Sequence, residues 1–226
     1  MRMTIGAAAA LTIAAAPGAS IAAFEYSLDD GTGNVNVGPP SSFDQFPNTD
    51  MIWGNYFTEQ NGQNELTSIR LGVGSLVTEP RTISLIVWDD ANNDNDPTDI
   101  NAAPLTSFDV QVTDTAIGEF LSFDLPQSVT VDGGFFVAAV LRSADPGDDA
   151  PGNLDPDSDG ANSWLIYSPD LVEDDLSTSI GFATPMNNPS FVPIFGAWTI
   201  RATAIPAPAG VGVVALAGLA AARRRR

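Results

Sequence analysis

Two aspartate-rich segments contain the side chains in this sequence that are best suited to binding a metal ion. In one of them, alternate positions read Asp155-x-Asp157-x-Asp159, and Gly160 follows. When the backbone curls, oxygens at alternate positions converge on one ion, and a glycine at the sixth position permits the sharp turn of a calcium loop. The pattern therefore predicts Ca²⁺ as a cofactor, with Asp155, Asp157 and Asp159 as its ligands.

This loop lacks the bidentate acid that a calcium loop has at its twelfth position, where the sequence has Ile166. A further ligand would have to come from elsewhere in the chain, and Asp148 and Asp149 are the nearest candidates. The alternative is a solvated acidic segment whose Asp, Pro and Gly residues only form turns. The sequence leaves both interpretations open.

The other acidic segment has a similar register, with candidate ligands at Asp90, Asn92, Asp94 and Asp96. Asn95 stands where the turn glycine would be, and asparagine tolerates the left-handed backbone conformation better than most residues. The twelfth position is Asn101, so a terminal acid is missing here too. This register also predicts a bound cation, with a solvated loop as the alternative.

Tryptophans beside these segments are candidates for stacking against sugar rings. Trp88 directly precedes one acidic segment and Trp164 closely follows the other, so we expect both to be exposed ligand-binding residues. Trp53 lies in a dense apolar run, and we expect it in the core. The alternative for all three is packing in the core or at a sheet edge, where tryptophan side chains are often found.

The composition excludes several kinds of chemistry. The chain of 226 residues contains no cysteine, histidine or lysine. It therefore offers no disulfide, no thiolate nucleophile, no imidazole base and no Schiff-base amine. A glycosidase needs only two carboxylates, but no pair stands out among so many aspartates. We predict no catalytic residues and a protein that is not an enzyme.

The acidic residues are concentrated between the two ends of the chain. All 28 of them lie within residues 24–205, together with only four arginines, which gives this body a net charge of −24. Because binding to phosphate groups requires cations, nucleic acid is an unfavourable partner for such a surface. Cations, and Ca²⁺ in particular, are the natural partners.

The elements that must position these segments are predicted to be β-strands. Apolar and polar residues alternate in short runs, as at Ile83, Leu85 and Val87, which predicts strands with one buried face. The sequence Asp132-Gly133-Gly134, after Val131, predicts a hairpin. We expect about nine to eleven strands, no helix within the body, and a single antiparallel β-sandwich of jelly-roll type over residues 24–205.

The beginning of the chain has the pattern of a secretory signal peptide. Arg2 supplies a positive charge, and an apolar run of the usual length ends at Pro17-Gly18. Small residues follow, which predicts cleavage just after Ala22 or Ala23. Residues 1–23 are therefore expected to direct export of the protein.

The end of the chain combines a proline motif, an apolar run and a basic cluster. The proline motif is Pro206, Ala207 and Pro208, and the apolar run continues to Ala222. The basic cluster is Arg223, Arg224, Arg225 and Arg226. The sixteen uncharged residues 207–222 would rise about 24 Å as a helix. With local thinning, that length spans a hydrocarbon core of about 30 Å. Arginines beside such a segment stay on the cytoplasmic side, so the body would lie outside. The alternative is a core helix with a basic end.

A signal peptide, a body and a tail with these three parts resemble the PEP-CTERM proteins of Gram-negative bacteria. The resemblance of the tail covers residues 205–226, and Ala207 stands where the family usually has glutamate. It implies an exosortase-like sorting protease as a partner and an association with extracellular polysaccharide. The loop after Ile86-Val87-Trp88-Asp89 is also similar to one in secreted β-sandwich bodies with such tails.

Together, these features predict an exported, non-catalytic protein of the cell surface or extracellular matrix. Its C-terminal segment would lie in the membrane before any processing, and calcium would stabilise its body. One alternative is a lectin-like, carbohydrate-binding module of the extracellular polysaccharide. A secreted carboxylate-dependent hydrolase is a less favoured alternative.

Overall fold

A computed structural model describes residues 22–39, 49–60, 62–76, 80–144, 149–190 and 195–206. The predicted signal peptide up to residue 21, the apolar run and the arginine cluster lie outside the described residues, as do Ala207 and Pro208. Within the described ranges, no helix has the length and apolar character needed to cross a membrane.

Short antiparallel strands make up most of the described residues. In chain order they are β1 (Phe24–Tyr26), β2 (Val35–Val37), β3 (Thr49–Thr58), β4 (Glu65–Leu71), β5 (Val73–Ser75), β6 (Arg81–Asp90), β7 (Thr106–Val112), β8 (Leu121–Thr130), β9 (Gly134–Ala144), β10 (Ala150–Asp155), β11 (Ser163–Ser168), β12 (Phe182–Pro185), β13 (Ala197–Trp198) and β14 (Ile200–Ile205). A 3₁₀ turn at Pro97–Asp99 and the four-residue helix α1 (Leu176–Ser179) interrupt them. The all-β prediction is confirmed, with more strands than expected and one short helix.

The strands form three sheets that enclose a main core. One sheet has the order β1-β14-β4-β8, and another has the order β13-β10-β2, with β5 also paired to β10. The largest has six strands in the order β12-β11-β3-β9-β6-β7. Side chains from all three sheets meet in one buried cluster, for example Ile69, Leu154 and Val137. This arrangement is a β-sandwich.

Part of the six-stranded sheet is buried on both faces. On β6, Ile83, Leu85 and Val87 face the main core, whereas Ile86 and Trp88 belong to a second cluster on the opposite face. The prediction of one buried face is therefore wrong for this strand. A strand buried on both sides reads as a continuous apolar run, and the sequence from Leu85 to Trp88 is such a run.

Two segments fold back over the sheet and cover the second cluster. Ile100 follows the 3₁₀ turn, and Leu176 lies in residues 169–181, which we call the covering segment. The N–H of Ser177 donates to the carbonyl of Ile100 at 2.9 Å. The indole N–H of Trp88 donates to the carbonyl of Glu173 at 2.9 Å. The acidic segment after β6 is thereby attached to the covering segment and to the sheet.

The turn at Asp132-Gly133 connects two sheets and does not form a hairpin. β8 pairs with β4 in the four-stranded sheet, whereas β9 pairs with β3 and β6 in the six-stranded sheet. Gly133 has a φ of 91°, a conformation that glycine adopts at little cost. The hairpin prediction is wrong because turn residues specify a local change of direction and do not specify which sheet each flanking strand joins.

Replacement of Leu176 by alanine tests whether the second cluster contributes to stability. Leu176 is fully buried, so Leu176→Ala is expected to lower the free energy of unfolding by about 2–5 kcal/mol. Val172, in the same segment, is 47% exposed, and Val172→Ala should change it by less than about 0.5 kcal/mol. Urea unfolding of both variants measures the difference. Equal effects would contradict a packed second core.

Candidate functional site

Asp155, the first residue of the predicted calcium loop, is hydrogen-bonded to other groups of the protein. Asp155 is fully buried, and its carboxylate accepts from the N–H of Asp30 at 2.9 Å, the N–H of Asp157 at 3.1 Å and the hydroxyl of Ser158 at 2.5 Å. Asp157 and Asp159 are exposed. These three aspartates are not among the described carboxylates that converge within 4.8 Å of one another. In this structure Asp155 holds the loop against the N-terminal segment.

Gly160 permits a close approach of two backbone segments. A Cβ atom at this position would lie 2.4 Å from the carbonyl oxygen of Gly196 and 2.9 Å from the backbone of Met186. The sequence pattern predicts Gly160 as the turn glycine of a calcium loop, whereas in the structure it makes room for the neighbouring backbone. The suggested additional ligand Asp149 is buried and binds the guanidinium of Arg81 at 2.9 Å. Asp148 lies outside the described residues.

The acidic segment that follows β6 brings three carboxylates together. Oxygens of Asp90, Asp94 and Asp99 lie within 4.8 Å of one another. Asp90 is buried at the end of β6, and Asp94 and Asp99 are exposed. Asp99 was not among the predicted ligands because it lies outside the alternating register. The 3₁₀ turn, which the sequence pattern did not predict, brings it back towards Asp90.

The other two predicted ligands in this segment have local partners. The amide N–H of Asn92 donates to the Asp99 carboxylate at 2.7 Å, and its carbonyl oxygen accepts from the N–H of Asp94 at 3.3 Å. Asp96 caps the 3₁₀ turn by accepting from the N–H of Thr98 at 2.9 Å. Asn92 therefore lies beside the three carboxylates, whereas Asp96 stabilises the turn that positions Asp99.

Two asparagines give the segment its curvature. Asn93 and Asn95 have φ values of 57° and 71°, which asparagine tolerates better than most side chains. The side-chain oxygen of Asn93 accepts from the N–H of Gly134, and the side-chain amide of Asn95 donates to Asn162. The loop is thereby attached to the start of β9 and to the turn before β11.

The buried Asp90 carboxylate is held by Tyr56. The Tyr56 hydroxyl donates to it at 2.5 Å. Burial raises the pKa of Tyr56, and the hydrogen bond to Asp90 and its negative charge raise it further. Tyr56 is therefore a neutral donor over the physiological pH range, and it orients one oxygen of Asp90 without neutralising its charge.

A cavity of about 170 Å³ lies beside this segment, and its polar lining comes from Asp89, Asp90, Asn92, Asp99 and Asn101. Burial raises the pKa of the Asp89 carboxyl, and the negative charges of Asp132 and Asp90 act in the same direction. The available ligand atoms are carboxylate and amide oxygens, which are those that hard cations such as Ca²⁺ prefer. The chemistry that this arrangement supports best is cation binding.

The two predicted stacking residues differ in their surroundings. Trp88 has no exposed surface, and its ring stacks on Phe136 with centroids 6.1 Å apart. The expectation that Trp88 is exposed is wrong, because the covering segment closes over it. Trp164 is half-buried on β11, opposite Gly54 and Pro185, at the margin of the second cluster.

The four arginines of the body are all engaged in ion pairs. Arg70 and Arg201 share Glu25 at 2.6 and 2.8 Å, and Arg201 also binds Asp29 at 2.5 Å. Both guanidinium groups lie over the ring of Phe120, at 4.9 and 4.4 Å from its centroid.

The other two arginines of the body are also paired with carboxylates. Arg81 pairs with Asp149, and Arg142 pairs with Asp50 and Glu173. Four arginines cannot neutralise 28 acids, so the body attracts cations.

Comparisons with protein-family models, curated proteins and solved structures find no match for this chain. The resemblance of its tail to PEP-CTERM proteins therefore stays a prediction, and its function must be inferred from its own residues.

The pH dependence of stability tests the environment of Tyr56. Because folding raises the pKa of Tyr56, the unfolded chain loses this proton first as the pH rises. The free energy of unfolding should therefore fall above about pH 10, by up to about 1.4 kcal/mol per pH unit for one proton. Tyr56→Phe removes this part of the slope and retains the contributions of the other tyrosines. Urea unfolding between about pH 9 and pH 12 measures the slope of the free energy of unfolding against pH for the wild type and for Tyr56→Phe. Identical slopes would contradict a raised pKa for Tyr56.

Proposed function

We propose that this protein is an exported, non-catalytic, jelly-roll-like β-sandwich of the cell surface or extracellular matrix, whose acidic loop is stabilised by Ca²⁺. The observation that carries the cation proposal is the convergence of Asp90, Asp94 and Asp99 within 4.8 Å. Three carboxylates at this separation repel one another, and a divalent cation between them reverses the sign of the interaction.

The loop offers part of a calcium shell from protein atoms. Asp90, Asp94 and Asp99 supply carboxylate oxygens, and the side-chain oxygen of Asn92 lies in the same turn. Calcium takes six to eight oxygen ligands, and water and backbone carbonyls commonly complete its shell. Asp155, Asp157 and Asp159 are not part of this proposal, because Asp155 is committed to hydrogen bonds within the protein.

Cation binding at this loop would stabilise more than the loop itself. Ile100, which directly follows Asp99, packs in the second cluster and accepts a hydrogen bond from Ser177 of α1. A cation that holds Asp99 against Asp90 therefore also holds the cover over Trp88. A ligand that binds only the folded state raises stability in proportion to the logarithm of its concentration.

Export and sorting are supported by the two ends of the sequence. Residues 1–23 have the pattern of a signal peptide, and residues 206–226 have a proline motif, an apolar run and four arginines. The proposed partners are an exosortase-like protease, the membrane before processing, and the extracellular polysaccharide. A body with a net charge of −24 would remain soluble after release from the tail.

Calcium titration with matched variants tests the loop. For the wild-type protein, calcium at about 100 times its dissociation constant should raise the melting temperature by about 5–10 °C over the value in chelator. The double substitution Asp94→Asn and Asp99→Asn should abolish this rise while preserving side-chain shape. The control carries Asp157→Asn and Asp159→Asn in the other acidic loop and should keep the full response.

Two results of that titration would reject the calcium site. One is a wild-type melting temperature that is the same in calcium and in chelator. The other is a calcium response that persists in the variant with Asp94→Asn and Asp99→Asn but is lost in the control with Asp157→Asn and Asp159→Asn.

Cell fractionation tests the sorting proposal. The full chain, expressed in a Gram-negative host without an exosortase-like protease, should fractionate with the membrane and expose its body to protease added outside the inner membrane. In a host that has such a protease, the body should be released in a shorter form. Replacement of Pro206 and Pro208 by alanine should prevent release and leave membrane association intact. Recovery of the full chain in the cytoplasm would contradict export.

A further inference from the structure

A groove with polar walls lies on the six-stranded sheet, separate from the acidic loop. It has a volume of about 660 Å³, and its polar side chains include Thr82, Ser84, Ser107, Asp109, Arg142 and Glu173. They come from β6, β7, β9 and the covering segment. Ser84 and Asp90 are six residues apart on β6, which corresponds to about 20 Å along a strand.

The groove begins where the cover of the second cluster ends. Thr82, Ser84, Ile86 and Trp88 alternate along β6 and therefore share one face of the sheet. The covering segment closes over Ile86 and Trp88, and Glu173 of that segment forms a wall of the groove. The change from apolar to polar side chains at Ser84 marks the boundary between a packed face and a face that can meet a ligand.

Two polar pairs hold donors and acceptors in place along the groove. The hydroxyl of Ser84 donates to the carboxylate of Asp109 at 2.7 Å, across the pairing of β6 with β7. The guanidinium of Arg142 lies between Asp50, at 3.2 Å, and Glu173. A guanidinium carries five N–H donors and a carboxylate about four acceptor sites, so both pairs retain hydrogen-bonding capacity towards a ligand. Side chains that are already oriented lose little entropy on binding.

The charge of the groove disfavours an anionic ligand. Arg81 and Arg142 are two of the four arginines of the body, and both line the groove. Arg81 is paired with Asp149, Arg142 is paired with Asp50 and Glu173, and Asp109 adds a further negative charge to the walls. The net charge of −24 on the body also repels anions. A ligand with many hydroxyl groups, each able to donate and accept, matches guanidinium, carboxylate and hydroxyl side chains together.

We propose that this groove is a binding site for a neutral saccharide. The guanidinium of Arg142 donates to sugar oxygens, Asp109 and Glu173 accept from sugar hydroxyls, and Ser84 and Ser107 complete the contact. The volume falls in the range of about 300–1,000 Å³ that is usual for small-molecule sites. The site does not include the predicted stacking residues Trp88 and Trp164, and it is independent of the proposed calcium loop.

Binding of defined oligosaccharides to the purified full chain tests this site. The probes are the neutral pentasaccharides of β-1,4-glucose, β-1,4-xylose and α-1,6-mannose, with an oligogalacturonate as the anionic comparison, measured by isothermal titration calorimetry. At least one neutral probe is expected to bind with a dissociation constant of about 1 mM or tighter, and more tightly than the anionic probe.

Variants on the edge strand locate the binding. Ser107→Trp fills the groove, and Asp109→Asn removes the charge while it keeps an oxygen that can accept from Ser84. Each should weaken binding by about tenfold or more. Ser122→Trp, at an exposed position of the edge strand β8 in another sheet, should bind as the wild type does. Melting temperatures of all three establish that they are folded, and Asp109→Asn serves alone if Ser107→Trp does not fold.

Three outcomes would overturn the saccharide site. They are the absence of saturable binding by every neutral probe at about 1 mM, preference for the oligogalacturonate, and unchanged affinity in the folded Asp109→Asn variant. None of them bears on the calcium titration or on export.

Discussion

Both faces of the six-stranded sheet carry apolar side chains, and each face must therefore be covered. The other sheets cover the face of Ile83 and Leu85, but the face of Ile86 and Trp88 lies outside the sandwich core. Irregular segments cover it, and they are held there by Ile100, Leu176 and the hydrogen bond from Trp88 to Glu173. The position of both proposed sites follows from this requirement. The acidic loop approaches the sheet through Ile100, and the groove opens beside Glu173 of the covering segment.

Each of the four arginines of the body forms ion pairs with carboxylates. Arg70 and Arg201 share Glu25 and stack on Phe120, so they join β1, β14 and β4. Burial would raise the pKa of Glu25, but hydrogen bonds from Arg70 and Arg201 outweigh it and hold that pKa below its usual value. Arg142 links the covering segment to β9 through Glu173. None of these ion pairs involves Asp90, Asp94 or Asp99, the converging carboxylates after β6.

Several features could be predicted from residue patterns because they depend on local chemistry. Alternation and turn residues indicated an all-β body, and the positions of Asp90 and Asp94 indicated that the segment after β6 could gather oxygens. Asp99 was missed because only the 3₁₀ turn brings it close to Asp90. Trp88 was misplaced because exposure depends on which distant segment packs over a strand. The hairpin at Asp132-Gly133 was wrong because its flanking strands join different sheets.

The sequence by itself determined the composition-dependent properties: a β-strand body, a net charge of −24 within residues 24–205, and no histidine, cysteine or lysine for chemistry. These follow from residue types and short-range periodicity. The tertiary structure decided which carboxylates lie close together and that Asp155 accepts hydrogen bonds from Asp30 and Ser158. It also decided that Ser84 and Arg142 line one groove. The contact of Asp30 with Asp155 and the groove at Ser84 and Arg142 join residues far apart in the chain, and their proximity depends on strand order, which local patterns do not encode. Asp90 and Asp99 are close in the chain, but it is the 3₁₀ turn that brings them together.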